Sequence, residues 1–182
     1  MSFEFTLLDA LQALRCPVLD ALVVFFDAAG AHGEIWIAFT AVLLAFQRTR
    51  RAGLAMALAL GLYMLAGHCA LKPLFARPRP CDLRPEMLTL VARPHGWSFP
   101  SGHTASAFAA AFALWLQNRR LGVPALVLAG FIGFTRMYLY VHFPTDILGG
   151  VALGLALGAC GSLLADKISN KWAKHSEVKR TV

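Results

Sequence analysis

The stretch Gly53–Leu71, GLAMALALGLYMLAGHCAL, runs for 19 residues without one Asp, Glu, Lys or Arg. At about 1.5 Å per residue, a helix of that length nearly crosses a bilayer core of about 30 Å. Leu alternates with Ala and Gly along it, and such small residues let helix backbones approach closely where no water drives them together. Working outward, Ile35–Phe46, Thr104–Leu116, Val123–Val141 and Ile147–Ala165 carry almost no charge. Irregular backbone and open strand edges cannot face hydrocarbon, so the predicted fold is all-α, a polytopic transmembrane helical bundle of five or six spans, with six favoured. The composition agrees: 58% of the 182 residues are hydrophobic, 15% are charged and the mean hydropathy is +0.60, too apolar for a water-soluble globule.

No polar linker divides the chain, which predicts one folded unit with distinct ends. Residues 1–29 form an N-terminal amphipathic or first transmembrane helix. In Phe5–Phe26, Phe5, Leu8, Leu11 and Leu14 are interleaved with Asp9, Gln12 and Arg15, before the apolar run Val23–Phe26. Glu4, Asp9, Arg15 and Asp20 interrupt this segment, so it does not read as a cleavable signal peptide. Residues 30–166 form the membrane domain and 167–182 a basic tail on the cytoplasmic side. Cys16, Cys69, Cys81 and Cys160 show neither metal-binding nor redox spacing, and no disulfide framework is implied.

The net charge of +7 is informative through its placement. Arg48, Arg50 and Arg51 share one loop, Arg119 and Arg120 another, and Lys167, Lys171, Lys174, Lys179 and Arg180 crowd the C-terminus. If helices alternate, all three clusters fall on one side, which the excess of Lys and Arg marks as cytoplasmic. The segments 72–100 and 140–146 then face outward together. Basic loops flanking apolar spans are ordinary topology determinants, so no nucleic-acid partner is expected; the partners are the bilayer and its lipids, and the oligomeric state is left open.

Polar chemistry gathers on that outward side in three places. Lys72-Pro-Leu-Phe-Ala-Arg77-Pro-Arg79-Pro80 puts a lysine and two arginines at the mouth of a helix, where prolines stiffen an anion site; snorkelling to headgroups is the competing reading. Ser98-Phe-Pro-Ser101-Gly102-His103-Thr104 opens an Ala-rich helix, with Ser101 as a candidate N-cap. The amides of Gly102 and His103 then point outward from the positive end of a helix dipole, an arrangement that binds phosphate. Thr135-Arg136 is followed by His142 and, four residues on, by Asp146, which can accept one ring N–H of the histidine and leave the other nitrogen to attack. Ionisable groups beside membrane spans are costly enough to point to function. Three cations, helix-end amides and two histidines, one backed by a carboxylate, are what phosphoryl transfer through a covalent intermediate requires.

These residues resemble the type 2 phosphatidic acid phosphatase (PAP2) superfamily, which shares its fold with vanadium haloperoxidases. Its first pattern, Lys, six residues, Arg-Pro, is met by Lys72–Pro80; its second, Pro-Ser-Gly-His, by Pro100–His103; its third, Ser-Arg, five residues, His, three residues, Asp, by Thr135–Asp146, with Thr in place of Ser. Threonine keeps the hydroxyl. Order and spacing are intact, and the likeness extends from about Gly30 to Ala165. It implies a phosphohistidine on His142, oriented by Asp146, with His103 protonating the leaving oxygen and later activating water. Lys72, Arg79, Ser101, Gly102 and Arg136 are implied to hold the phosphate, with no metal and no cofactor. Within the family the chain is similar to bacterial undecaprenyl diphosphate phosphatases, which implies a multi-pass inner-membrane enzyme with its active site facing the periplasm. Phosphatidylglycerol phosphate, phosphatidic acid and lipid A phosphates are alternative substrates. Arg84 and Arg93 are placed to hold a second phosphate or, alternatively, to face solvent and headgroups.

Three rivals compete. A serine protease pairing Ser101 with His142 leaves Lys72, Arg79 and Arg136 without a task. An anion or lipid transporter explains the cations but requires no histidine backed by a carboxylate, and no internal repeat is evident. A zinc site from His103, His142 and Asp146 predicts activity sensitive to chelators, whereas resistance is expected.

Overall fold

The computed structural model describes residues 2–30 and 33–178, and every regular element among them is helical. In chain order these are α1 (Ser2–Gln12), α2 (Pro17–Gly30), α3 (Glu34–Ala45), α4 (Arg50–Tyr63), a wider π-helical continuation (Met64–Leu71), α5 (Lys72–Phe75), α6 (Pro80–Leu83), α7 (Gly102–Gln117), α8 (Arg119–Tyr138) and α9 (Pro144–Val178). The fold is the anticipated all-α membrane bundle. Three helical stretches, Arg50–Leu83, Arg119–Tyr138 and Pro144–Trp172, are long and apolar enough to cross a bilayer, and α3 is apolar but shorter.

Two expectations change. The segment Phe5–Phe26 is two helices, because Pro17 opens α2 and disfavours helical backbone in the residue before it. The 11 residues of α1 rise about 16 Å and the 14 of α2 about 21 Å, each short of the hydrocarbon core. Instead, α1 lies over the polar end of the bundle, burying Leu8 against Tyr140 and Phe143. The basic C-terminus is not separate from the membrane unit, since α9 continues without a break through Lys167 and Lys171 to Val178; Lys179 and Arg180 lie outside the described residues.

The centre of the bundle is α7, whose Ala105, Ala107, Ala109, Ala110, Ala111 and Ala113 are all fully buried. Against it α9 presents Gly150, Gly154 and Gly158. A Cβ at Gly150 would come within 2.9 Å of the Ser101 carbonyl oxygen, at Gly154 within 2.7 Å of that of Ala105, and at Gly158 within 2.8 Å of that of Ala109. Real Cβ atoms do not approach backbone that closely, so glycine at every fourth position sets the spacing of the pair. This contact also fixes the end that carries the polar motifs, because the amide of Ser101 donates to the carbonyl of Asp146 at 3.0 Å.

The basic clusters and the polar motifs sit at opposite ends. Arg51 pairs with Asp166 at 2.7 Å and Gln117 donates to the same carboxylate at 2.7 Å, gathering the start of α4, the end of α7 and the far part of α9. Lys72, the start of α7, the end of α8 and the start of α9 meet at the other end.

Candidate active site

Local sequence explains why His142 is held where it is. After α8 ends at Tyr138, both the Val141 and His142 amides donate to the Arg136 carbonyl, at 3.2 and 3.3 Å, so the chain doubles back. Tyr140 makes the bend with a left-handed φ of 62°, a conformation costly for a residue with a side chain. Its hydroxyl anchors the bend by donating to Asp9 Oδ1 at 2.7 Å and accepting from Arg84 at 2.9 Å. Pro144 then starts α9, which brings Asp146 back beneath the histidine.

His142 is 2% exposed. Arg79 Nη1 lies 3.1 Å from its Nε2, and because a guanidinium only donates, Nε2 is the acceptor and the ring proton sits on Nδ1. Nδ1 faces Ser98 Oγ at 3.3 Å and Asp146 Oδ2 at 3.5 Å, while Ser98 donates to that same Oδ2 at 2.5 Å. The Ser98 hydroxyl therefore bridges the ring N–H to the carboxylate. Burial, reinforced by the charges of Arg79 and Lys72 and opposed by Asp146, pushes the pKa of His142 down to about 4. The ring is accordingly neutral at physiological pH, and its contact with Asp146 is that of a polar neighbour, not an ion pair. Asp146 is fully buried; Oδ2 also accepts the Phe143 amide at 2.8 Å, and Oδ1 accepts from Arg77 at 2.6 Å.

The cations differ in how their charge is met. Arg79, 3% exposed, donates to the carbonyls of Gly96, Val141, His95 and Trp97 at 3.0 to 3.4 Å. Among the described residues, neither its guanidinium nor the Lys72 ammonium forms an ion pair. A buried cation satisfied by neutral dipoles keeps its charge for an anionic ligand. Arg136, by contrast, 2% exposed, pairs with Asp27 of α2 and donates to Thr135 Oγ1 at 3.0 and 3.2 Å. The threonine hydroxyl, in the place of the usual serine, thus orients this guanidinium.

At the start of α7, Ser101 occupies the N-cap position, but its hydroxyl accepts from Thr104 Oγ1 at 3.0 Å instead of capping a helix amide. The amides of Gly102 and His103 have no partner within the helix. A Cβ on residue 102 would lie 2.6 Å from Tyr63 Oη and 3.5 Å from Lys72 Nζ, so glycine there lets both polar groups reach the helix end. His103 Nε2 is buried without a hydrogen-bond partner. All eight residues singled out in the sequence, Lys72, Arg79, Ser101, Gly102, His103, Arg136, His142 and Asp146, stand at this end of the bundle.

Arg84 does not join them. It binds Asp9 at 2.8 and 2.9 Å and stacks on Phe5 with its Cζ 4.0 Å from the ring centroid, while Arg93 donates to the carbonyls of Pro85 and Met87. Sequence reasoning missed Ser98, Asp27, Tyr63 and the Glu4–Arg77 pair. Asp27, a lone carboxylate in the apolar run of α2, carried a readable cue, since such a charge needs a partner. The others carried none.

The PAP2 superfamily model matches residues 48–169. The undecaprenyl-diphosphatase of Sulfolobus acidocaldarius is 28% identical over 155 residues, covering 85% of this chain and 74% of that protein. The undecaprenyl-diphosphatase BcrC of Bacillus subtilis is 29% identical over 145 residues, covering 78% and 72%. Among solved structures, the transmembrane PAP2-type phosphatidylglycerolphosphate phosphatase of Bacillus subtilis superposes with a TM-score of 0.72 at 27% identity, covering 93% of this chain and 86% of that one.

Proposed function

The chain belongs to the PAP2 superfamily and is a membrane lipid phosphatase, and from that membership we propose that it converts undecaprenyl diphosphate to undecaprenyl phosphate through a phosphohistidine on His142. The observation that carries the chemistry is the contact of Arg79 with His142 Nε2, since a phosphate gripped by that uncompensated guanidinium lies against the attacking nitrogen. Likeness to two undecaprenyl-diphosphatases supports the choice of lipid.

In the first step the Nε2 lone pair forms the N–P bond as the P–O bond to the lipid-linked leaving oxygen breaks, and His103 gives that oxygen a proton; burial and the neighbouring cations push its pKa down to about 3, so the anionic substrate must be bound for the ring to carry that proton. The imidazole becomes cationic, and Asp146 and Ser98 meet the charge through Nδ1–H. Neutral His103 then takes a proton from water as it attacks phosphorus; the N–P bond breaks and inorganic phosphate leaves. Lys72, Arg79, Arg136, the Ser101 hydroxyl and the helix-end amide of Gly102 counter the charge on the phosphoryl oxygens in both steps. The basic clusters support an inner-membrane orientation with this end in the periplasm.

A panel of undecaprenyl diphosphate, phosphatidylglycerol phosphate, phosphatidic acid and a lipid A phosphate, assayed for phosphate release by purified protein in EDTA, tests the proposal. Preference for undecaprenyl diphosphate is expected. Equal rates on every substrate contradict the lipid assignment, and transport into proteoliposomes without hydrolysis contradicts the enzymatic one.

A further inference from the structure

The arginine that sequence spacing groups with the anion site, Arg77, is engaged by two carboxylates. Its Nη1 donates to Asp146 Oδ1 and to Thr145 Oγ1, both at 2.6 Å, and its Nη2 donates to Glu4 Oε2 at 2.8 Å. The second oxygen of Glu4 accepts from Thr145 Oγ1 at 2.6 Å. One carboxylate of α1 therefore holds both the guanidinium behind Asp146 and the first turn of α9 that carries Asp146. Arg77 lies flat on Phe143, its Cζ 4.1 Å from the ring centroid, and Phe5 of α1 packs edge-on to that ring at 5.3 Å. Glu4 is 13% exposed in its side chain and Arg77 23%. All of α1 lies outside the segment matched by the family model.

We propose that Glu4 is a positioning residue for the phosphatase reaction, acting through Arg77 to fix Asp146 against His142, so that α1 is a working part of the active site. Asp146 must be ionised and aimed at Nδ1 when the imidazole becomes cationic, and Arg77 on the opposite oxygen favours both. An untethered Arg77 is free to leave Asp146. Glu4 prevents that by engaging the outer half of the guanidinium, a charge-assisted contact with fixed geometry. The effect falls on the step in which charge develops, so it appears in kcat and leaves KM unmoved.

This inference rests on the phosphatase reading and is tested with the full-length protein in detergent or nanodiscs. Glu4→Gln is expected to lower kcat about tenfold with KM unchanged, the loss typical of a partner that orients a functional side chain, and Glu4→Asp to restore part of it. In an Arg77→Gln background, Glu4→Gln is expected to add nothing. Arg15→Gln, which loosens the end of α1 by removing its contacts with the Leu88 carbonyl and Asp20 and touches neither Arg77 nor the His142 bend, serves as the control and is expected to keep the wild-type kcat. A Glu4→Gln loss that persists in the Arg77→Gln background, or that Arg15→Gln reproduces together with an equal drop in Tm, overturns the proposal. Nitrogen NMR of histidine-labelled protein reads the same coupling without turnover: the His142 ring resonances are expected to move in Glu4→Gln and stay put in Arg15→Gln. An inactive wild type then defeats the phosphatase reading alone, and unmoved resonances defeat the role of Glu4.

Discussion

Arg79 donates to Nε2 of His142, and that single contact decides the tautomer and leaves Nε2 as the nitrogen proposed to attack phosphorus. The pKa of about 4 has a direct consequence for activity. A histidine outside a protein gains its proton as pH falls through about 6.5, but here the nucleophile stays neutral to about pH 4. The acid limb of kcat/KM set by His142 is expected near pH 4; an acid limb at the ordinary histidine value contradicts the burial argument. Stability carries the same sign: with the folded pKa below the unfolded one, the contribution is complete above pH 6.5 and is lost as pH falls from there towards 4. Ser98 bridges Nδ1 and Asp146, so Ser98→Ala is expected to lower kcat by about tenfold without abolishing it, whereas His142→Ala leaves no phosphate release above background. His103→Ala is expected to slow release from phosphatidic acid, whose alkoxide leaving group needs a proton, by about a hundredfold or more and to spare the first-turnover burst of nitrophenol from p-nitrophenyl phosphate, whose leaving group needs none; equal losses in both contradict its role as acid. The eight motif residues were legible because each motif is short and its spacing survives in the sequence. Glu4 was not, because its partner lies 73 positions away and no periodicity links the two; Asp27 showed that it needs a partner but not which, since that partner lies 109 positions away.

Among the elements, the α7–α9 pair matters most, since it carries the helix-end amides on one side and Asp146 on the other. The Gly150, Gly154 and Gly158 stripe lets the two backbones touch. Gly154→Leu places a side chain where a Cβ alone already meets Phe108 Cβ at 2.6 Å and is expected to destabilise the protein by about 1–3 kcal/mol, read as a lower Tm in detergent. Gly130, with nothing within 4 Å of a Cβ, is the comparison, and Gly130→Leu is expected to be tolerated. Apolar helices were readable from composition because lipid permits little else. The break between α1 and α2 was readable only in hindsight from Pro17, since amphipathic and apolar runs joined end to end resemble one segment. What α1 rests on could not be read at all, because packing against the His142 bend is a tertiary contact.

Across the whole molecule, charge and chemistry are separated along the bundle axis, with Arg51, Gln117 and Asp166 joined at one end and His142 at the other. The sequence predicts this polarity because successive spans alternate in direction, and an excess of Lys and Arg marks the cytoplasmic side. With the exposed native cysteines Cys16, Cys69 and Cys160 replaced, a cysteine at Glu86 is expected to react with an impermeant maleimide on intact spheroplasts. One at Arg120 is expected to react only after permeabilisation; the reverse pattern puts hydrolysis in the cytoplasm. The central claim, a covalent phosphohistidine at His142, is tested most directly by quenching the purified protein, in EDTA, during turnover of undecaprenyl diphosphate radiolabelled in its terminal phosphate. The account predicts an acid-labile, base-stable label confined to the peptide containing His142 and absent from His142→Ala. Label on another residue, or full turnover by His142→Ala, contradicts it.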